Sequence, residues 1–336
     1  MAKPPLALTM GDPSGIGPDI ALKAWIRFAE NGRKLPPFFY IGDADHLRQT
    51  AARLDLPVPI QRLQTVSQAR EIFDHALPVL HNSLTVPAQP GRPTSQNAPG
   101  IINAIQTAVE LVRSGEASGL VTNPIAKEVL YEAGFEFPGH TEYLAYLAGD
   151  DFQPVMMLAC DQLRVVLATV HVSLFDAIKS LNTDTICSIV RITHNALKQD
   201  FGIAKPRLAV AGLNPHAGEG GSMGKEEIDI IIPAIERLQS EGIDVSGPYP
   251  SDTMFTHKAL STYDAAVCMY HDQGLIPLKA LDFEHGVNAT LGLPFVRTSP
   301  DHGTAFDIAG TGQASELSLI AALNMASIMA EARLGD

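Results

Sequence analysis

Short apolar runs recur along the chain and alternate with longer stretches whose apolar residues follow a helical period. The short runs are apolar at consecutive positions, which is typical of strands covered on both faces. This pattern predicts an α/β fold. The predicted strands are LALTM (6–10), FFYIG (38–42), GLVTN (119–123), VVLATV (165–170), RLAVAGL (207–213) and AAVCMY (265–270).

The stretches between these strands predict helices. IINAIQTAVELVRSG ends at Gly115 and TDTICSIVRITHNALKQDFG ends at Gly202, and glycine commonly follows the last residue of a helix. The second helix has Thr183 or Asp184 as its candidate N-cap. Residues 86–100 are rich in proline, glycine and serine and predict a loop.

Composition narrows the class of protein. Hydrophobic residues make up 46% of the 336 residues and charged residues 18%, which is typical of a globular chain. Chains longer than about 250–300 residues usually divide into domains with separate hydrophobic cores, so we expect two domains. The formal net charge of −13 opposes binding to nucleic acid and to anionic membrane surfaces.

The cysteines and the apolar segments indicate a cytoplasmic protein. Cys160, Cys187 and Cys268 lie far apart and form no C-x-x-C pair, so we expect buried, reduced thiols. The N-terminus lacks the apolar segment and cleavage site of a signal peptide. The stretch Leu317 to Ala330 is too short to span a bilayer and predicts a core or interface helix.

A glycine-rich stretch, TMGDPSGIGPDI, follows the first predicted strand. Gly11, Gly15 and Gly17 fall in the order G-x-x-x-G-x-G, which is not the dinucleotide fingerprint G-x-G-x-x-G. Such glycines let backbone approach a ligand closely, whereas a tight strand-to-helix turn explains them equally well, with Pro18 and Asp19 near the helix start.

Three histidines lie at or just beyond the ends of three predicted strands: His171, His216 and His271. Ligands of parallel sheets bind beyond the carboxyl ends of the strands, and three neutral imidazoles with an open position describe a catalytic zinc site. A single histidine is more often structural, and spacing does not show that the three meet. We interpret five other histidines as structural: His46, His75, His81, His194 and His257.

Further polar residues stand in turn-rich segments. His140 and Thr141 follow Pro138-Gly139, where Thr141 is a candidate N-cap or a candidate ligand contact. Lys279 and Arg297 are either ordinary surface charges or anion-binding groups of a ligand site. The other candidates in such segments are Asp272, Asn288 and His302.

Several segments together resemble the 4-hydroxythreonine-4-phosphate dehydrogenase family of pyridoxal phosphate biosynthesis. The resemblance extends from Met10 to the C-terminus and is carried by GDPSGIGP, TNPIAK, GHTEYLA, GLNPHAGEGG, YHDQGLIPLKAL and NATLGLPFVRTSPDHGTAFDIAG. The segments GDPSGIGP and HGTAFDIAG are also similar to the isocitrate and isopropylmalate dehydrogenases.

The resemblance implies two α/β domains with a cleft between them, as in isocitrate and isopropylmalate dehydrogenases. The first would comprise residues 1–135 and 280–336 with the cofactor segments. The second, 136–279, would carry the metal, substrate and dimer contacts. It also implies a homodimer whose active site lies at the subunit interface and draws metal ligands from both subunits.

The resemblance further implies the role of each candidate. His171, His216 and His271 would hold a divalent metal, for which zinc is the first choice and magnesium or cobalt the alternatives. For the general base, Lys279 is the first candidate, and Asp272 or a metal-bound hydroxide are the alternatives. Substrate would contact His140, Thr141, Lys279, Asn288 and Arg297. NAD or NADP would contact Gly11, Asp12, Gly15, His302 and Asp307.

The implied reaction oxidises 4-hydroxythreonine 4-phosphate at C3 to a β-keto acid, which decarboxylates to 3-amino-2-oxopropyl phosphate. Three alternatives stay open. Related dehydrogenases oxidise four-carbon sugar-acid phosphates or cis-dihydrodiols, three histidines also suit a zinc hydrolase that activates water, and a phosphate-binding protein needs no catalysis.

Overall fold

The structure, a computed structural model, describes residues 3–30, 32, 34–149 and 152–335. It divides into two compact units, Met1–Phe152 with Leu293–Ala330 and Gln153–Gly292 with Glu331–Asp336. Both units contain parallel strands and helices, so the predicted α/β class is confirmed. The units differ from the domains given by the resemblance: residues 136–149 lie in the first unit, whereas 280–292 and 331–335 lie in the second.

The first unit is built on a parallel sheet in which β1 (Leu6–Thr9) pairs with β2 (Phe38–Gly42) and β5 (Leu120–Thr122). Every residue of β1 and β2 is buried, which explains why their sequences are apolar at consecutive positions. In spatial order the strands are β3 (Ile60–Arg62), β4 (Leu77–His81), β2 (Phe38–Gly42), β1 (Leu6–Thr9), β5 (Leu120–Thr122) and β12 (Arg297–Pro300).

Helices connect and cover these strands. The predicted helix that begins with Ile101 is confirmed within α4, which starts earlier, at Ala98. The helices of this unit are α1 (Gly17–Glu30), α2 (Ala44–Arg53), α3 (Ala69–Phe73), α4 (Ala98–Arg113), α5 (Lys127–Glu132), α6 (His140–Ala148) and, up to Ala330, α13 (Leu317–Leu334).

Helix α13 is longer than the sequence analysis predicted. Its 18 residues have a mean hydropathy of 1.3 and are by length and composition sufficient to cross a membrane, with 39% of them buried. The prediction that this segment is too short was therefore wrong, because the helix continues through the charged residues Glu331 and Arg333. The Thr298 hydroxyl donates to the Ala322 carbonyl (2.8 Å), and Leu319 and Leu323 are fully buried, as in a core helix.

The second unit has a mixed sheet, because β6 runs antiparallel to both of its neighbours. In spatial order its strands are β11 (Val287–Leu291), β6 (Val155–Ala159), β7 (Arg164–Leu167), β10 (Ala265–Cys268), β8 (Leu208–Ala211) and β9 (Val245–Tyr249). Its helices are α7 (Leu174–Ser180), α8 (Thr183–Gln199), α9 (Ile232–Ser240), α10 (Ser251–Met254), α11 (His257–Leu260) and α12 (His271–Leu281).

Two sequence predictions in this unit have clear outcomes. The N-cap of α8 is Asn182 rather than Thr183 or Asp184, because the Asn182 side chain accepts a hydrogen bond from the Thr185 amide (2.9 Å). All three cysteines are buried and free, as predicted.

Candidate active site

The glycine-rich loop of the first unit joins β1 to α1, so it is a strand-to-helix turn in which backbones come very close. Gly11 has φ +69°, and a Cβ there would lie 2.5 Å from the Pro124 carbonyl oxygen and 2.8 Å from the Cβ of Asn123. The Ile16 amide donates to the Thr304 carbonyl (3.0 Å). The tight-turn interpretation is therefore confirmed, and the approach of this backbone to a ligand stays a prediction.

Segments carrying the cofactor candidates meet around this loop. A Cβ at Gly15 would lie 2.8 Å from the Thr304 carbonyl oxygen, and the Gly91 amide donates to the Ser14 carbonyl (2.8 Å). Asp307, by contrast, is exposed. His46, interpreted as structural, supports the loop through its Nε2, which lies 2.9 Å from the Pro13 carbonyl oxygen.

Two cofactor candidates each have a buried side-chain atom without a hydrogen-bond partner. Asp12 accepts from the Ser14 amide through Oδ1 (2.9 Å), while its buried Oδ2 has no hydrogen-bond partner. Burial raises the pKa of the Asp12 carboxyl. The buried Nε2 of His302 also lacks a partner, and burial lowers the pKa of that imidazole. Both side chains therefore retain hydrogen-bonding capacity that a ligand can use.

Arg297 begins β12 and is 3% exposed. Its Nη2 donates to the hydroxyl of Thr122 at the end of β5 (2.8 Å). Burial lowers the pKa of the guanidinium to about 10, and the negative charge of Glu142 offsets only part of that effect. Arg297 is thus a buried cation rather than an ordinary surface charge.

His140 lies in the same charged environment at the start of α6. The residue is half-buried, and its Nε2 is fully buried with no hydrogen-bond partner. Burial, followed by the positive charges of Arg297 and Lys127, holds the pKa of His140 well below its ordinary value, so the ring is neutral. Gly139 occupies the N-cap position, so the alternative that Thr141 caps this helix was wrong.

Lys127 and Glu142 belong to this environment and were missed as individual residues. A Cβ at Gly139 would lie 3.5 Å from both Lys127 Nζ and Glu142 Oε2, so the two opposite charges flank the start of α6. The signal was present in the sequence, since Lys127 ends the motif TNPIAK, but motif membership alone does not show which residues face a ligand.

In the second unit, His171 and His271 lie side by side with ring centroids 5.6 Å apart. They line a cavity of about 250 Å³ between the loop after β7 and the start of α12. Its other lining residues are Thr169, Val172, Leu174, Ala177, Tyr270 and Asp272.

This pair of imidazoles fits two positions of a metal site. Zn–N bonds of about 2.0–2.1 Å place two imidazole centroids on a tetrahedral ion roughly 5 Å apart. His271 Nδ1 lies 2.7 Å from Asp272 Oδ1, which leaves His271 Nε2 for a metal. A carboxylate on the second ring nitrogen is the usual way a metal-binding histidine is oriented.

His216 does not join the pair within one chain. Among the residues that the structure describes, no three His, Cys, Asp or Glu side chains are placed to hold a metal ion. His216 is exposed and opens a left-handed turn in which residues 216–220 all have positive φ. Left-handed conformation costs about 1–2 kcal/mol for each residue with a side chain, so neighbouring contacts must hold this turn.

The remaining two substrate candidates also lie in the second unit. Lys279 is in the last turn of α12, with its ammonium 5.6 Å from the centre of the Phe283 ring. Asn288 lies in β11, and its buried Oδ1 has no hydrogen-bond partner.

The chain is similar to known proteins over nearly its whole length. The sequence model of a family described as "Pyridoxal phosphate biosynthetic protein PdxA" matches residues 34–326. A relative from Bradyrhizobium diazoefficiens, named 4-hydroxythreonine-4-phosphate dehydrogenase, is 54% identical over 343 residues, which cover 99% of each chain.

Solved structures of similar proteins include an enzyme with the same name. A 4-hydroxythreonine-4-phosphate dehydrogenase from Klebsiella pneumoniae superposes with a TM-score of 0.87 at 38% identity and covers 98% of this chain and 100% of its own. A terephthalate 1,2-cis-dihydrodiol dehydrogenase from Burkholderia xenovorans has a TM-score of 0.64 at 28% identity, with 97% of this chain and 98% of that chain covered.

Proposed function

We propose a reaction for this protein from one premise: the chain belongs to the family of the pyridoxal phosphate biosynthetic protein PdxA. The reaction is the oxidation of 4-hydroxythreonine 4-phosphate at C3 by NAD, or by NADP as the alternative. It gives a β-keto acid that loses CO₂ to form 3-amino-2-oxopropyl phosphate. The divalent metal that assists it is zinc, with magnesium and cobalt as alternatives.

The observation that carries this proposal is the buried positive charge of the first unit. Arg297 is 3% exposed, and its pKa falls to about 10 because burial lowers the pKa by more than the negative charge of Glu142 raises it. A buried cation is stabilised when an anion binds beside it. The phosphate or carboxylate of the proposed substrate supplies that anion, and the planar guanidinium suits either group.

His140 and Lys127 extend the same anion site. The neutral His140 ring offers its partnerless Nε2 to the substrate, and Lys127 adds a positive charge beside it. Thr141 lies in the first turn of α6, next to His140. Together these residues orient the anionic end of the substrate.

The second unit supplies the groups for proton transfer. When bound, the nicotinamide would accept the hydride and the metal would act as a Lewis acid. We assign removal of the hydroxyl proton to Lys279, with Asp272 as the alternative. The contact between Asp272 and His271 favours an orienting role for Asp272, and the partnerless Oδ1 of Asn288 offers the substrate an acceptor.

We propose that the protein forms a homodimer in which the second chain supplies a ligand to the metal site. His171 is followed by Val172, Leu174 and Phe175, whose exposed fractions are 51%, 58% and 65%. Apolar side chains exposed beside a polar site are typical of an interface. Burial of these residues against a second copy would bring His216 of one chain toward His171 and His271 of the other.

The catalytic proposal is tested by mixing the purified protein with NAD⁺, a divalent metal and 4-hydroxythreonine 4-phosphate and following NADH absorbance. We expect NADH to form only with substrate and metal present. No NADH with NAD⁺ or NADP⁺ and any of zinc, magnesium and cobalt would remove the proposal. A substrate panel containing a cis-dihydrodiol and a four-carbon sugar-acid phosphate tests the related dehydrogenases. Phosphate release without NAD⁺ would favour a hydrolase, and binding without turnover a phosphate-binding protein.

The dimer proposal is tested by mixing inactive His171→Ala and His216→Ala chains after dissociation. If each site takes His171 from one chain and His216 from the other, random pairing restores about a quarter of the wild-type activity, because half of the dimers carry one intact site. No recovery from refolded, dimeric mixtures would contradict a shared site.

The proposed location is the cytoplasm. Lys3 Nζ donates to the Ser327 carbonyl (2.8 Å), and this contact, like the buried face of α13, fits a helix packed within a folded domain.

A further inference from the structure

A buried chain of hydrogen bonds links the three loops that carry His171, His216 and His271. It lies wholly in the second unit and involves none of the three imidazoles. Each histidine lies two residues after a residue that takes part in these hydrogen bonds: Thr169, Asn214 and Met269.

Gln273 forms the centre of this chain. It is 6% exposed, and its Oε1 accepts from the Met269 amide (2.6 Å). Its Nε2 donates to the Gly212 carbonyl (2.6 Å) and to the Ser251 hydroxyl (2.8 Å). Because Met269 offers a donor and Gly212 an acceptor, only one orientation of the amide satisfies all three bonds. Gln273 therefore connects the loop of His271 to the segment that leads to His216.

Thr169 connects the third loop. Its hydroxyl donates to the Met269 carbonyl (2.8 Å), so the Met269 peptide is held through its amide by Gln273 and through its carbonyl by Thr169. His171 follows Thr169 by two residues and is itself in the left-handed region, with φ +53°.

Glu227 holds the loop of His216 from the other side. The residue is 2% exposed, and its Oε1 accepts from the amides of Leu213 (2.8 Å) and Asn214 (2.7 Å). Its Oε2 accepts from the Asn214 side chain (2.9 Å). A buried carboxylate is unfavourable unless it is hydrogen-bonded in this way.

The backbone around Glu227 is unusual on both sides of the contact. Glu227 begins a π-helical turn, a rare form that is frequent at functional sites. The left-handed turn of residues 216–220 packs against its carboxylate, and a Cβ at Gly218 would lie 2.6 Å from Glu227 Oε2. Gly218 has φ +77°, so glycine is needed there for both conformation and space.

We propose that Gln273 and Glu227 are positioning residues that set the placement of the three histidine loops and thereby the affinity for the metal. The inference rests on the proposed function, since it takes the three histidines as metal ligands. Groups that orient metal ligands typically affect metal affinity by about 10–100-fold when they are changed. Neither residue needs to touch metal, cofactor or substrate.

The test measures binding of Co²⁺ and Zn²⁺ to full-length, metal-free dimers of Glu227→Gln and Gln273→Glu. Each substitution keeps the side-chain shape but places the wrong donor or acceptor in the buried chain. Glu236→Gln and Gln199→Glu make the same changes on the exposed faces of α9 and α8 and serve as controls.

We expect both buried variants to weaken metal binding by about 10–100-fold and to alter the visible absorption of bound Co²⁺, with the controls at the wild-type value. At saturating metal, the KM for substrate should stay near wild type, because the anion-binding groups of the first unit are unchanged. Folded variants with wild-type metal affinity would overturn the inference, even if their thermal midpoints are lower.

Amide hydrogen exchange of the wild-type, metal-free protein covers the case in which a variant does not fold. Protection of the Leu213, Asn214 and Met269 amides is expected, and free exchange at these positions would overturn the inference. These experiments distinguish failure of the positioning roles from failure of the proposed function. Wild-type protein that binds no metal would refute the metal site itself, whereas metal-binding wild type with unaffected variants would refute only the positioning roles.

Discussion

The anion site of the first unit and the histidine loops of the second unit differ in burial. Arg297 is 3% exposed and His140 is half-buried with a fully buried Nε2, whereas the His271 side chain is 36% exposed and His171 and His216 are exposed. A buried cation needs neighbouring groups from its own fold, here Thr122 and Glu142. Neutral imidazoles tolerate water, so ligands can stay exposed until a metal and a second chain cover them.

The difference teaches which site one chain can complete by itself. The anion site has its donors in place, because β5, β12 and α6 bring them together inside one unit. In the described residues of the second unit only two of the three predicted metal ligands are adjacent. Substitutions should therefore separate binding of the anion from binding of the metal.

The largest effect is expected from His216→Ala. Metal content and NAD-dependent activity should both be lost, while the circular dichroism spectrum stays at that of wild type, since an exposed loop histidine adds little to the core. His257→Ala, which removes another exposed histidine, is the control. Unchanged metal content in His216→Ala, measured by elemental analysis, would remove this histidine from the site.

Arg297→Lys should break the anion site and leave the metal site intact. Loss of the planar fork is expected to lower kcat/KM roughly a hundredfold, or about 2.7 kcal/mol, with metal content unchanged. Arg48→Lys, in an exposed ion pair with Asp45, should have little effect. A wild-type kcat/KM for Arg297→Lys would contradict the assignment of Arg297 to the substrate.

Gly11→Ala should test the tight turn of the first unit. The left-handed φ alone costs about 1–2 kcal/mol, and the contact with Asn123 and Pro124 should add to it. Gly115 has φ +80° with open space around its Cβ position, so Gly115→Ala measures the cost of the left-handed conformation alone. Thermal unfolding of both variants gives the difference in their loss of stability. Equal losses would show that the contact of residue 11 with Asn123 and Pro124 adds nothing.

The smallest effect concerns pH. The folded-state pKa of His140 is well below the unfolded value of about 6.5, so the unfolded chain binds more protons as the pH falls below that value. His140 therefore contributes stability that is complete above about pH 6.5 and declines as the pH falls toward the folded pKa. In His140→Gln the free energy of unfolding should fall less as the pH is lowered, as measured by urea titration at several pH values. An identical pH profile would show that the ring is not buried.

Much of this architecture was readable from local pattern. The buried strands β1, β2, β8 and β10 were predicted because each is apolar at consecutive positions, and α4 because its apolar residues have a helical period. The antiparallel direction of β6 was not predicted, because direction depends on pairing partners rather than on the residues of one strand. The length of α13 was underestimated, since a buried helix can continue past the end of its apolar run.

The sequence by itself determined the α/β class, the glycine turn after β1 and the residue types of both sites, because these depend on short-range periodicity and on chemistry that single residues carry. The tertiary structure decided that Arg297 is buried beside His140, that His171 and His271 are adjacent while His216 lies apart, and that Gln273 and Glu227 join their loops. These relations depend on distances between segments far apart in the chain, and such distances are set by packing rather than by local pattern.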